Sequence, residues 1–199
     1  MDLKEYIRSI SDYPKKGILF RDITTLIKNE KAFVYCIDQI VEKSKQFKFN
    51  KIAAVESRGF IFASAVSYII KKPFILLRKK NKLPAETHSI DFELEYGTAT
   101  IEVHKDSVNK DDSVLIIDDL VATGGTADAA AKLIKISKGN VAGFIFVINL
   151  FDLGGLKKLA KDGHKVENLV EFPGHWNNDF TLYQDFFPIR QFKIPLKRA

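Results

Sequence analysis

Cysteine occurs once in the chain, at Cys36, so no internal disulfide can staple the fold and a secreted disulfide scaffold is excluded. Long hydrophobic runs are also missing. The most apolar segments, residues 60–70 and 143–151, fall short of the ~20 residues that cross a bilayer, and the first contains two serines. No basic stretch followed by an apolar core opens the chain over residues 1–10. Together these absences predict a cytoplasmic protein that does not enter membranes. Proline (6) and glycine (11) are too sparse for a collagenous chain, and 46% hydrophobic residues are too many for a disordered one. Two nucleotide motifs are absent as well: no Gly-Lys-Ser/Thr ends a glycine-rich loop, and no Gly-x-Gly-x-x-Gly follows an apolar run. The histidines His88, His104, His164 and His175 are dispersed without metal-ligand spacing.

What is present fits one domain spanning residues 1–199. Basic residues outnumber acidic ones by 31 to 25, a net charge of +6 that suits either nucleic acid or a small anionic substrate. Most of these charges, such as Lys43, Lys45, Lys157 and Lys158, belong to solvated faces. One cluster, Arg78-Lys79-Lys80-Asn81-Lys82, is denser.

The opening residues predict a short amphipathic helix capped by Asp2, with Leu3, Ile7 and Ile10 on one face, ending near Pro14. A Pro/Gly turn over residues 15–22 then leads into a short extended piece. A second helix is predicted over residues 30–47, where Phe33, Ile37, Ile40 and Val41 recur at helical spacing and Cys36 sits beside the stripe. After residue 50 short apolar runs alternate with helices: strands at 52–55, 74–77, 114–117 and 141–150, helices at 59–71 and 126–137. Continuous apolar strands of this kind are covered on both faces, which predicts an α/β fold with a mostly parallel central sheet flanked by helices. Residues 80–109 break this rhythm. Within them Thr98, Thr100 and Glu102 alternate with Ala99, Ile101 and Val103, the period of an antiparallel ribbon inserted as a lid at the sheet's carboxyl edge. From about residue 171 an aromatic-rich tail without clean period is expected to pack on the body or on a second subunit.

The sharpest signal is Asp118-Asp119-Leu120-Val121-Ala122-Thr123-Gly124-Gly125-Thr126, between a buried strand and an alanine-rich helix. Glycines let backbone approach an anion closely, the free N–H groups of a first helical turn point toward it, and Thr123 and Thr126 add hydroxyl donors. Carboxylates repel phosphate but accept hydrogen bonds from a vicinal diol and tolerate a divalent cation. A sugar phosphate satisfies both halves.

This segment resembles the phosphoribosyl pyrophosphate motif of type I phosphoribosyltransferases. The segments 13–23 (Tyr-Pro-Lys-Lys-Gly-Ile-Leu-Phe-Arg-Asp-Ile), 56–60 (Glu-Ser-Arg-Gly-Phe), 77–84 (Leu-Arg-Lys-Lys-Asn-Lys-Leu-Pro) and 94–97 (Leu-Glu-Tyr-Gly) are similar, in order, to signatures of the adenine phosphoribosyltransferase family. The match covers about residues 7–150. It implies the type I phosphoribosyltransferase fold, with a small N-terminal hood over about residues 1–30, a flexible β-hairpin lid over about 80–109, and a C-terminal extension over about 171–199. The implied reaction joins adenine to phosphoribosyl pyrophosphate, giving AMP and pyrophosphate, with Mg²⁺ held mainly through the substrate and a homodimer as the assembly.

The resemblance also distributes roles. Asp118 and Asp119 would contact the ribose hydroxyls, and Ala122, Thr123, Gly124, Gly125 and Thr126 would hold the 5-phosphate. Arg58, Arg78, Lys79 and Lys82 would face pyrophosphate, with Arg58 and Lys79 acting on the leaving group. Glu95 would manage the proton on the imidazole ring of the base, and Tyr96 would help shut the site. Leu19, Phe20, Arg21 and Leu150 would form the base pocket: backbone recognition at Leu19, stacking on Phe20, Arg21 nearby and Leu150 as an apolar wall. Locally, each of these also fits a plainer role: a solvated run at Lys79 and Lys82, a salt-bridged helix start at Arg58, a surface acid at Glu95, a core ring at Phe20. Two rival functions share the phosphate loop. A transferase for a 6-oxopurine or orotate would not need segments 19–21 and 94–97, and a phosphoribosyl pyrophosphate-sensing regulator would need a nucleic-acid-reading module that the residues before Tyr13 are too few to form, so no nucleic-acid partner is expected.

Overall fold

The computed structural model describes residues 1–94 and 97–174. Its first turn departs from the sequence expectation. Asp2 does cap it, its side chain accepting from the Lys4 N–H at 2.9 Å, but the turn is a 3-10 segment over Leu3–Tyr6. The chain then extends as β1 (Arg8–Ser11), which pairs antiparallel with β2 (Leu19–Asp22). Four residues close too few hydrogen bonds to propagate a helix, and the β1–β2 ladder satisfies the next backbone groups instead. Arg8 pairs with Asp22 across this ribbon and holds the carboxyl down to about 2. A one-turn helix that the sequence did not suggest, α1 (Thr24–Ile27), precedes α2 (Glu30–Ser44), whose Asn29 cap accepts from the Ala32 N–H at 3.0 Å.

The main sheet has seven strands in the order β5-β6-β4-β3-β7-β8-β9. Here β3 is Lys51–Val55, β4 Phe74–Lys79, β7 Ser113–Val121, β8 Asn140–Leu150 and β9 Val166–Phe172, all parallel to their neighbours in this group. β5 (Thr87–Leu94) and β6 (Gly97–His104) form the expected antiparallel ribbon, and β6 also pairs with β4, so the insertion continues the sheet. Glu102, on the polar side of the ribbon's alternation, is buried: it accepts from the Asn81 N–H at 3.0 Å and ties the turn after β4 to β6.

Helices α2 and α3 (Arg58–Ile70) bury Ile37, Ile40, Phe62 and Val66 against Ile52, Ala54, Leu115 and Ile117. On the other face α4 (Gly125–Ile136) and α5 (Gly155–Lys161) bury Ala130, Leu133 and Leu159 against Ala53, Ile116, Phe144 and Phe146. Adjacent strands β3 and β7 therefore send their helices to opposite faces, and a crevice opens outside their carboxyl ends. α5 and β9 are additions to the sequence expectation. β9 ends at Phe172 and completes the sheet, while residues 175–199, most of the expected C-terminal extension, lie outside the described residues.

Cys36 is fully buried in the first core, and desolvation pushes its thiol up to about 12. Only the thiolate is strongly nucleophilic. A disulfide-exchange dye at pH 8 is expected to leave the native chain unlabelled over an hour and to label one thiol within minutes in denaturant; rapid native labelling would contradict this packing.

Candidate active site

The crevice is a cavity of about 670 Å³, lined by residues 16–21 of the β1–β2 ribbon, 55–58 at the carboxyl end of β3, 118–127 from the end of β7 into α4, Leu150 at the end of β8 and Leu153 beyond it, and Gly174 after β9. Sequence-distant segments thus meet at one end of the sheet.

β7 runs past the expected strand end at residue 117, so Asp118 and Asp119 stand on regular strand, Asp118 opposite Phe146 of β8. Both carboxyls line the cavity and interact with each other. Asp119 is 4% exposed; its Oδ2 is 3.0 Å from Arg58 Nε in an ion pair, yet among the described residues it accepts no hydrogen bond. Asp118 accepts from the Asp119 N–H at 2.9 Å. Burial raises the Asp118 carboxyl well above the usual range, and the neighbouring Asp119 charge raises it further. Burial also raises Asp119, with Arg58 opposing. Both acids thus stand in a site that disfavours their charge until donors arrive. Gly59 makes room for them: a Cβ there would lie 2.5 Å from Asp118 Oδ1 and 3.2 Å from the Ile117 carbonyl oxygen.

Downstream, Gly124 adopts φ +85 and α4 begins at Gly125 without a side-chain cap, so its first-turn amides remain open toward the cavity. Ala122, Thr123, Gly124, Gly125 and Thr126 all line it. The stretch in which the sequence suggests a phosphate cradle thus lies at the cavity wall.

At the opposite wall, Phe20 faces the Arg58 guanidinium (5.5 Å to the ring centroid) and takes the edge of Tyr13 at 5.2 Å. Leu19, Phe20, Arg21 and Leu150 all line the cavity. Arg21 is buried; it donates to Ser9 Oγ and, at 2.7 Å, to the Pro173 carbonyl, and its guanidinium lies 4.4 Å from the centre of the Phe172 ring. Among the described residues its Nε has no hydrogen-bond partner, and burial lowers the guanidinium to about 10 despite the opposing Asp152 charge.

Arg78, Lys79 and Lys82 stand behind the 56–58 turn and do not line the cavity. Arg78 donates to both Glu56 carboxylate oxygens (3.2 and 3.3 Å) and to the Lys82 carbonyl at 3.0 Å, and the Lys79 N–H donates to Glu56 Oε2 at 3.1 Å. Arg78 accordingly holds Glu56 below the usual carboxylate range. The cationic cluster thus braces the turn that carries Arg58. Glu95 and Tyr96 lie outside the described residues; Glu93, two positions before Glu95, does reach the cavity. Leu153, Gly174 and Gly155 are site or support residues that sequence reasoning missed. None belongs to a local motif, and only the path of α5 and β9 brings them here.

The phosphoribosyl transferase domain model matches residues 24–184. An adenine phosphoribosyltransferase of Pelagibacter ubique is 75% identical over 175 residues, covering 88% of this chain and all of that protein. The crystal structure of adenine phosphoribosyltransferase from Thermoanaerobacter pseudethanolicus superposes with a TM-score of 0.82 at 47% identity, covering 85% of this chain and 98% of that one. The Giardia lamblia enzyme complexed with 9-deazaadenine gives a TM-score of 0.81 at 30% identity, covering 86% and 96% of the respective chains. With the crevice, the twin acids and the open helix start all at the same end of the sheet, the chain belongs to the phosphoribosyltransferase family, among its adenine phosphoribosyltransferases.

Proposed function

We propose that the cavity transfers the 5-phosphoribosyl group of phosphoribosyl pyrophosphate to adenine, giving AMP and pyrophosphate. The observation that carries this is the pairing of two charge-disfavoured carboxylates, Asp118 and Asp119, with the open helix start at residues 122–126 in one crevice. The 5-phosphate accepts from the loop amides and from the Thr123 and Thr126 hydroxyls, while the ribose hydroxyls donate to the acids, including Asp119 Oδ2, which is ion-paired with Arg58 but accepts no hydrogen bond among the described residues. The bond from the anomeric carbon to pyrophosphate breaks with its electron pair leaving on pyrophosphate, and a ring nitrogen of adenine bonds to that carbon from the opposite face. Positive charge develops on the ribose in between, as in glycoside displacement. Arg58 stabilises the departing anion; Arg78, Lys79 and Lys82 brace its turn and add positive potential. Glu95, with Tyr96 beside it on the lid of residues 80–109, takes the proton that the imidazole ring loses. The hood of residues 1–30 brings the Leu19 backbone, Phe20 and Arg21 over the base, against Leu150.

Among the described residues no three His, Cys, Asp or Glu side chains cluster as a metal cage. The paired acids with one hydrogen-bond-free oxygen fit Mg²⁺, which keeps several waters and binds through few carboxylates plus substrate oxygens. When bound it neutralises charge on the pyrophosphate. Ile61, Tyr68 and Ile69 on the outer face of α3 are exposed beside Leu76 of β4, with Tyr68 78% exposed, and this apolar face supports a homodimer. A cytoplasmic setting, without a nucleic-acid or membrane partner, completes the proposal; no helix among the described residues is long and apolar enough to cross a membrane.

Pyrophosphate release by the full chain, with phosphoribosyl pyrophosphate and each of adenine, hypoxanthine, guanine and orotate, tests the assignment. Release with adenine alone is expected, and release only with a 6-oxopurine or orotate would replace it. Arg21→Lys keeps the charge but loses the fork that joins Ser9 to Pro173. It is expected to raise the KM for adenine about tenfold, the scale of one charge-assisted hydrogen bond, with the KM for phosphoribosyl pyrophosphate within twofold. Steady-state kinetics with each substrate varied would show it.

A further inference from the structure

Outside every motif named above, the turn between β8 and α5 packs its backbone directly against residues 122–124. Gly155, the first residue of α5, donates its N–H to the Ala122 carbonyl at 2.9 Å. A Cβ on Gly155 would lie 2.3 Å from that oxygen, 2.6 Å from the Gly124 nitrogen and 2.8 Å from the Thr123 carbonyl carbon. All three are backbone atoms, which cannot swing aside as a flexible side chain can. The contact is reciprocal, because a Cβ on Gly124 would meet the Gly155 carbonyl oxygen at 3.1 Å and its Cα at 3.2 Å. Behind it α5 is anchored by Leu159, which is fully buried in the second core.

We infer that Gly155 is a positioning residue for the 5-phosphate: by lacking a side chain it lets α5 press against residues 122–124 and fixes the angle at which the loop amides meet the anion. The inference rests on the phosphoribosyl transfer proposed above. A methyl group at position 155 displaces the 122–124 backbone by several tenths of an ångström at least. Amide-to-phosphate hydrogen bonds weaken steeply with misalignment. The residues of the proposed base pocket, 19–21 and Leu150, are not among the nearest atoms that a Cβ at position 155 would meet. The loss therefore falls on ligands that carry a ribose 5-phosphate and spares the free base. Because the phosphate is held alike before and during the reaction, the expected signature is a raised KM with kcat preserved.

Gly155→Ala is expected to raise the KM for phosphoribosyl pyrophosphate at least tenfold, with kcat and the adenine Kd within twofold of the parent. Gly139→Ala serves as the control, since its Cβ would meet Val108 Cγ1 at 2.5 Å away from the cavity. It is expected to lower Tm without moving that KM. An unchanged KM in Gly155→Ala, parallel losses for both substrates, or an equal KM rise in Gly139→Ala would overturn the inference. Should Gly155→Ala not fold, hydrogen exchange on the parent protein decides. Saturating AMP is expected to slow exchange of the Gly155 amide at least tenfold while leaving the Gly163 amide unchanged, and no slowing at Gly155 overturns it. Failure of the inference alone leaves the parent protein active with adenine. A parent chain that releases no pyrophosphate with adenine removes the functional proposal and the inference together.

Discussion

Replacing Asp118 by asparagine is expected to make the free protein more heat-stable and to lower kcat/KM for phosphoribosyl pyrophosphate roughly ten- to a hundredfold. The two effects share a cause. Burial and the Asp119 charge raise the Asp118 carboxyl well above its unfolded value, so folding favours the protonated form. For an acid shifted upward, the favourable contribution is complete below the ordinary aspartate range and is lost as pH rises through the folded-state value. At neutral pH this acid therefore weighs against the fold. Asparagine removes that charge while its side-chain oxygen can still accept from the Asp119 N–H. In the complex the balance reverses, because a ribose hydroxyl donates better to a carboxylate than to an amide. A hydrogen bond to a charged group contributes about 1.5–3 kcal/mol, which sets the expected loss. Thermal melts at pH 7.5 and pH 4 would show a Tm gain that shrinks at the lower pH. A Tm loss at pH 7.5, or unchanged use of phosphoribosyl pyrophosphate, would remove Asp118 from the role given to it.

Glu95→Gln carries the other large effect. A positioned general acid or base contributes about 10²–10⁴ in rate, and glutamine keeps the shape of glutamate while losing its ability to take a proton. Turnover is expected to fall by that factor, with the adenine Kd from calorimetry within about threefold of the parent. Loss of rate alone belongs to an interaction formed only as the reaction proceeds. If binding and turnover fell together, Glu95 would be a base contact instead. Glu93 offers an internal comparison: it reaches the cavity two residues earlier, so the same replacement there should cost far less if the proton passes through Glu95.

How far the sequence foretold the site depends on which contacts were local. Asp118, Asp119 and the Thr-Gly-Gly-Thr turn are contiguous, and strand, acids and helix start follow one another without interruption. Their chemistry could be read directly. Phe20 and Arg21 were singled out only by the family resemblance, since locally a core ring and a surface arginine fit them as well. Arg78 was legible as a cation, but not in its service to Glu56, 22 residues earlier. The first helix was misjudged because Leu3, Ile7 and Ile10 match a helical stripe equally well when Leu3 and Ile7 are buried from a 3-10 turn and the chain beyond, with Ile10 on a strand. β9 escaped notice because, as a partly buried edge strand, it carries Glu167, Asn168 and Glu171 among its apolar residues. The seven-residue α5 is too short to announce itself by periodicity. Gly155 touches Ala122 across 33 positions, a closeness that no local pattern encodes.

A crystal structure of the protein with AMP tests the central claim most directly. The account predicts the 5-phosphate within hydrogen-bond distance of the amides of residues 123–126, with the ribose hydroxyls on Asp118 and Asp119 and the adenine ring against Phe20. Nucleotide bound elsewhere while the bend at residues 122–126 holds only solvent would contradict it.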